Sequence, residues 1–278
     1  MNSIEIIDNL KIISKNNKKI CIKKNTNNSI VDKYKYLKSK NFLNVVESHI
    51  INGYEIRDYI DEISISKEDK INELIYTISM LHIKTTHYKS LSLNDIKEFY
   101  EKEVDEILNI KKYYNKICEE NDFFLFLPPS INLLIDNISL LFVSLDNSKL
   151  FLDKWYNVIK NKKRKRVVLN HNNLKINNFI AGSNILINFD KSMIDSPIYD
   201  LASLFKNNIF DIDLIDIFNT YISKYKLYDE EIYLLFYKLL KIDIISFNDA
   251  DIVNTRRVYN LLFYLKRINN FLEYNMKS

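Results

Sequence analysis

Four histidines (His49, His82, His87 and His171) and two cysteines (Cys21 and Cys118) are the side chains best able to do chemistry in this sequence. No histidine pair stands at a metal-ligand spacing. Two cysteines so far apart build neither a disulfide framework nor a zinc site, and read as small buried apolar groups. The two glycines, Gly53 and Gly182, are too distant to form a glycine-rich phosphate loop. One run is dense in hydrogen-bonding side chains: VVLNHNNLKINNFIAGSNILINFDKSMIDSPIYDLASLF, from Val167 to Phe205. It gathers His171, Asn173, Asn178, Asn188, Asp190 and Asp200. Three of these are amides, which accept hydrogen bonds but cannot take up a proton. Asp190 lies two residues past Asn188, so on an extended strand the two would share a face.

The remaining polar features exclude more than they suggest. A net charge of +4 over 278 residues gives no support for nucleic-acid binding. The basic run Asn161 to Arg166 (NKKRKR) reads as a solvated loop. The most apolar stretch, Phe123 to Val143, is interrupted by Pro128, Pro129 and Asp136, which argues against a membrane span. The first residues mix acids and lysines without an apolar segment, so no signal peptide is expected and the setting reads as cytoplasmic. The chain is 27% charged and 47% hydrophobic, the profile of a globular protein. Its 36 Asn and 43 Ile are far above ordinary usage and read as the imprint of AT-rich coding DNA.

The elements that must position the polar run follow from periodicity. Ile4 to Ile7, Leu10 to Ser14 and Lys19 to Lys23 read as short strands. Asp32 to Lys40 reads as one short helix through Tyr34 and Leu37. Asn44 to Ile51 and Gly53 to Ile60 read as strands joined by Asn52-Gly53, a strong hairpin signal. From Ser66 the period becomes helical, beginning with Ile71, Leu74, Ile75, Ile78 and Leu81. Helices are expected over 94–120, after Pro128-Pro129, over 147–160, and over 199–206, 214–224, 230–240 and 251–274. Strands interrupt them at 167–170, 178–180 and 184–189, the last two joined by a turn at Ala181-Gly182-Ser183. The expected architecture is α+β and two-lobed: a small antiparallel sheet lobe over 1–65 and a larger, mostly helical lobe over 66–278.

The segment Val167 to Phe205 resembles the catalytic segment of aminoglycoside phosphotransferase and choline kinase-like proteins, which have a protein-kinase-like fold. That family's pattern is His-Gly-Asp-Leu-His-x-x-Asn-x-Leu, then a hairpin, then Ile-Asp-Phe, then x-x-Asp-Leu-Ala. His171, Leu174, Asn178, Ile187, Phe189, Asp200, Leu201 and Ala202 fall in place. Leu81-His82 resembles the family's Leu-His pair. Asn188-Phe189-Asp190 with Asp195-Ser196-Pro197 is most similar to the spore-coat branch.

The resemblance implies ATP and Mg²⁺ as cofactors and assigns positions to them. Lys23, in Ile20-Cys21-Ile22-Lys23, would pair the phosphates, with Asp32 the one acid on the following helix. Glu55 and Asp58, in the stretch Tyr54 to Glu62, would lie on the hinge that binds an adenine. Asn178, Asn188 and Asp190 would be the metal positions, and His171 would support the loop. The catalytic aspartate's position is Asn173, and the metal-binding aspartate's is Asn188. Losing a positioned base typically costs on the order of 10²–10⁴ in rate. The turn from Ser14 to Lys19, over the phosphates, has no glycine to allow close backbone approach. The expectation is a catalytically impaired pseudokinase that binds a protein partner or a small molecule, with no nucleic acid and no membrane. The alternative is an ATP-dependent small-molecule phosphotransferase with a rearranged metal site.

Overall fold

The computed structural model describes residues 3–7, 10–15, 18–24, 29–121, 124 and 126–277. Three strands open the chain: β1 (Ser3–Ile7), β2 (Leu10–Lys15) and β3 (Lys18–Lys24). Helix α1 (Ser29–Ser39) follows, then β4 (Ser48–Ile51) and β5 (Tyr54–Asp58). These strands form one antiparallel sheet in the order β1-β2-β3-β5-β4. The β4–β5 connection is the expected hairpin: Ile51 pairs with Tyr54, and Asn52 and Gly53 take φ of 51° and 77°. Both central residues are left-handed, as the tight turn that matches strand twist requires. Strand β4 is shorter than its apolar run suggests. Asn44 and Val45 leave it to pair elsewhere, with the Leu186 amide donating to the Asn44 carbonyl at 2.9 Å.

The switch to helix falls where the periodicity changes. Helix α2 (Lys67–Thr85) starts at Ser66, whose hydroxyl accepts the Asp69 amide, and buries Ile71, Leu74, Ile75, Ile78 and Leu81. A short strand, β6 (His87–Ser90), leads to α3 (Leu93–Asn121), α4 (Pro129–Asp136) and α5 (Ile138–Ile159). Strand β7 (Arg164–Asn170) takes in the end of the basic run, where a loop was expected. The hairpin β8 (Phe179–Ile180) and β9 (Ile185–Leu186) and strand β10 (Met193–Asp195) complete the strand island. The chain ends with α6 (Ile198–Asn207), α7 (Leu214–Lys224), α8 (Asp229–Leu240) and α9 (Asp251–Lys277).

The chain divides into two compact units, Met1–Tyr88 with Arg166–Lys226, and Lys89–Lys165 with Leu227–Ser278. The first holds the five-stranded sheet, α1, α2 and the strand island, around a core that includes Ile30, Leu37, Leu74, Ile78, Val167 and Phe189. In the second, α5 packs on α8 and α4 on α9, burying Leu141, Leu145, Leu152, Leu235 and Phe271. Within it, the buried carboxylate of Glu103 meets the Tyr237 hydroxyl and the ammonium groups of Lys238 and Lys241. Among the described residues no helix is long and apolar enough to cross a membrane.

Candidate functional site

The candidate site residues Lys23, Glu55, Asp58, His171, Asn173, Asn178, Asn188 and Asp190 all lie in the first unit, and several of them meet at a short turn from Ile187 to Lys191. Strand β9 ends at Leu186, and Phe189–Lys191 form one turn of 3-10 helix. The expected strand through Phe189 does not continue, and the face-sharing argument for Asn188 and Asp190 fails with it. Asn188 takes a left-handed conformation, with φ 66° and ψ 55°. Asn is one of the few non-glycine residues that visits this region readily.

The turn is held at each of its five residues. His171 Nε2 contacts the Ile187 carbonyl at 2.8 Å. A carbonyl only accepts, so Nε2 carries the proton. The Asn188 side-chain amide donates to Asn178 Oδ1 at 2.8 Å. Lys33, from α1, donates to the carbonyls of Phe189 at 3.2 Å and Asp190 at 2.9 Å. Lys23, from β3, forms a 2.6 Å ion pair with Asp190 Oδ2. Asn172 Nδ2 donates to the Lys191 carbonyl at 3.1 Å. The Phe189 ring is fully buried, with its edge contacts on His171 at 4.7 Å and Tyr34 at 6.1 Å between centroids.

The preceding loop is fixed from below. Asp200, on α6 and fully buried, accepts the backbone amides of His171 and Asn172 at 2.7 Å each. Its Oδ2 also contacts His82 Nε2 at 3.2 Å, and His82 Nδ1 meets the Tyr221 hydroxyl at 2.6 Å. One carboxylate thus sets the loop's backbone and links it to α2 and α7. Asn172 has φ 55°, so it fills the left-handed position where the family pattern has glycine. Asn178 Nδ2 donates to the Asn173 carbonyl at 2.8 Å. Asn188, Asn178 and Asn173 therefore form one continuous hydrogen-bonded line. Burial holds the His171 imidazole below the usual histidine range, against the opposing charge of Asp200.

The sheet contributes a mixed set of charges. Lys23 stands opposite Glu55, and Cys21 opposite Arg57, on paired strands. Cys21 and Glu55 are buried. Burial raises the Cys21 thiol, with Arg57 opposing. Burial lowers the Lys33 ammonium, with Asp190 opposing. Tyr34 is pushed up by burial and then by Glu55. Lys19 meets Asp61 on the surface, so of the two lysines with a described carboxylate partner on β3, Lys23 is the one that faces the turn. Asp32 does not partner Lys23; it is exposed beside Lys35. Glu55 lies mid-strand, where β5 is paired on both sides, so its backbone is committed to the sheet. Asp58 is exposed at the end of β5, opposite Ile20. The tip of the turn between β2 and β3 lies outside the described residues. Lys33 is the residue sequence reading missed. Its signal was present, because Ile30, Lys33, Tyr34 and Leu37 follow the helical period that faces inward.

These donors do not fit Mg²⁺. Asn178 Oδ1 is taken by an amide, Asp190 Oδ2 by an ammonium, and an octahedral ion needs several hard oxygens. Among the described residues no group of three His, Cys, Asp or Glu could hold a metal ion.

No protein-family model matches the chain, and no curated protein matches it. Solved structures do. An aminoglycoside phosphotransferase from Alicyclobacillus acidocaldarius superposes with a TM-score of 0.69 at 10% identity, over 99% of this chain and 91% of that one. The spectinomycin phosphotransferase APH(9)-Ia matches in its AMP-bound form with a TM-score of 0.54 at 13% identity, over 98% of this chain and 89% of that one. Its complex with ADP and spectinomycin gives 0.52 at 13% identity, over 98% and 88%. The small antiparallel sheet, the larger helical part and these superpositions together give the chain the protein-kinase-like fold of the aminoglycoside phosphotransferases.

Proposed function

We propose that this chain is a kinase-like protein that has lost ordinary phosphoryl transfer and works as a binding or scaffold module. The observation that carries the reading is the 2.8 Å hydrogen bond from Asn188 to Asn178 Oδ1. Two oxygens facing each other there would need a cation between them. An amide N–H takes that place instead and completes the contact without metal. Phosphoryl transfer rests almost wholly on positioning and on charge stabilisation by metal and base. A line of three asparagines supplies neither a base nor an anionic ligand.

A nucleotide remains a reasonable ligand for the module. APH(9)-Ia holds ADP in one structure and AMP in another. In this reading a nucleotide would lie beside β3, α1 and the turn at 187–191. The partner would be a protein or a small molecule, in a cytoplasmic setting, and the spore-coat branch is the part of the family it most resembles.

The test is a transfer assay with labelled ATP and Mg²⁺ on aminoglycosides, choline and simple sugars. No turnover above background is expected. The rival enzyme with a rearranged metal site needs Asp190 to release Lys23. Mg²⁺-dependent turnover that disappears in Asp190→Ala would establish that rival and sink the proposal.

A further inference from the structure

Two ammonium groups reach the turn at 187–191 from different elements, and within the turn the carboxylate of Asp190 answers them. Lys23 arrives from β3 and Lys33 from α1, while Asp190 is the acid that meets Lys23. The side chains of Lys23 and Asp190 are 31% and 30% exposed, so the pair is open to a ligand. Each ammonium has three N–H donors. Among the described contacts Lys23 uses one of them and Lys33 two, both of the latter on neutral carbonyls. Beside them, Asn188 and Asn178 close on each other and leave no carboxylate at the place where a metal would sit.

We propose that this site takes a polyphosphate anion in its metal-free form, with Lys23 and Lys33 supplying the positive charge. The proposal rests on the loss-of-transfer reading and adds to it the charge state of the ligand. A divalent ion arriving with the phosphates would meet an Asp190 carboxylate already held by Lys23 and would stand against two ammoniums. A bare triphosphate finds charge-assisted donors, with Asp190 already paired to Lys23 and Glu55 buried in the sheet opposite it.

Calorimetric titration of ATP into the whole protein, once in EDTA and once in excess Mg²⁺, reads this directly. Binding in EDTA is expected, weakened by Mg²⁺ on the order of tenfold, the scale of one lost hydrogen bond to a charged group. Inorganic tripolyphosphate should reproduce the Mg²⁺ sensitivity, and adenosine alone should not. Lys33→Met should weaken binding in EDTA, and Lys33→Arg should largely restore it. Asn188→Asp, read independently of whether Lys33→Met folds, should remove or invert the Mg²⁺ penalty. MgATP binding as tightly as ATP in EDTA, binding by adenosine but not tripolyphosphate, or no binding in either buffer would each overturn the inference. The last result leaves the loss-of-transfer reading standing, because the turnover assay decides that separately.

Discussion

Asn188 donates its side-chain amide to Asn178 Oδ1 at 2.8 Å, and Asn178 passes the line on to the Asn173 carbonyl. The direction of donation makes the contact sensitive to one atom. In Asn188→Asp the donor becomes an oxygen facing an oxygen. Loss of one part-buried hydrogen bond is worth about 1 kcal/mol, and the left-handed backbone is still allowed for Asp. We expect Asn188→Asp to lower the melting temperature in EDTA and to recover part of the loss on adding Mg²⁺. Wild type should gain nothing from Mg²⁺. Differential scanning fluorimetry in both buffers checks it; an equal Mg²⁺ response in the two proteins would refute the assignment.

Asp200 makes a second, larger prediction. It is fully buried and accepts two backbone amides and a histidine ring. Asp200→Ala leaves those donors without an acceptor in a place water does not reach. Removing one partner from such a buried charged set costs about 3–5 kcal/mol. Urea unfolding should show a loss of that size. A loss below about 1 kcal/mol, the worth of a single neutral hydrogen bond, would mean that the loop is held by other contacts.

Much of this arrangement was legible in the sequence, and the failures have physical causes. The strand and helix runs and the Asn52-Gly53 hairpin follow from local pattern, because period and turn chemistry act over a few residues. The stretch after β9 did not, because Asn188 leaves the extended region and a left-handed residue carries no periodic signal. Asn content itself was read only as a coding bias. Yet every described non-glycine residue with positive φ is an asparagine: Asn41, Asn52, Asn172, Asn184 and Asn188. In a chain with two glycines, Asn fills the positions that glycine usually fills. Lys33 was missed because a lysine on an inward face is judged by what it meets, and its acceptors lie more than 150 residues away in sequence.

Gly182 is a place where asparagine cannot fully substitute. Its φ is 76°, and a Cβ there would lie 2.5 Å from Ile63 Cδ1 and 3.0 Å from Ile63 Cβ. Its amide also donates to Glu73 at 2.9 Å, which fixes the turn against α2. Gly182→Ala should therefore lose about 1–2 kcal/mol from the left-handed backbone and more from the clash. Adding Ile63→Ala should recover the steric part, since Ile63 is mostly exposed and contributes little burial of its own. Chemical denaturation of the two single variants and the double variant separates the terms. Strict additivity of the single effects would remove the clash from the explanation.

The last prediction concerns pH. Burial holds the His171 imidazole below its ordinary range, so the folded protein keeps it neutral where an unfolded chain would protonate it. A group whose folded pKa lies below its unfolded one contributes fully above the unfolded value, about 6.5 for histidine. As pH falls below that value the unfolded state binds the proton first, and stability declines until the folded pKa is reached. His171 Nε2 must also keep its proton for the Ile187 carbonyl, so protonation adds the second proton at Nδ1, inside the buried loop. Urea unfolding of wild type and His171→Gln at pH 7.5 and pH 5.5 isolates the term, because the glutamine has no titration in that interval. Wild type should lose more stability between the two conditions than the variant does. Equal losses would place the pH dependence on other groups and leave His171 with its hydrogen bond to Ile187 and its packing against Phe189.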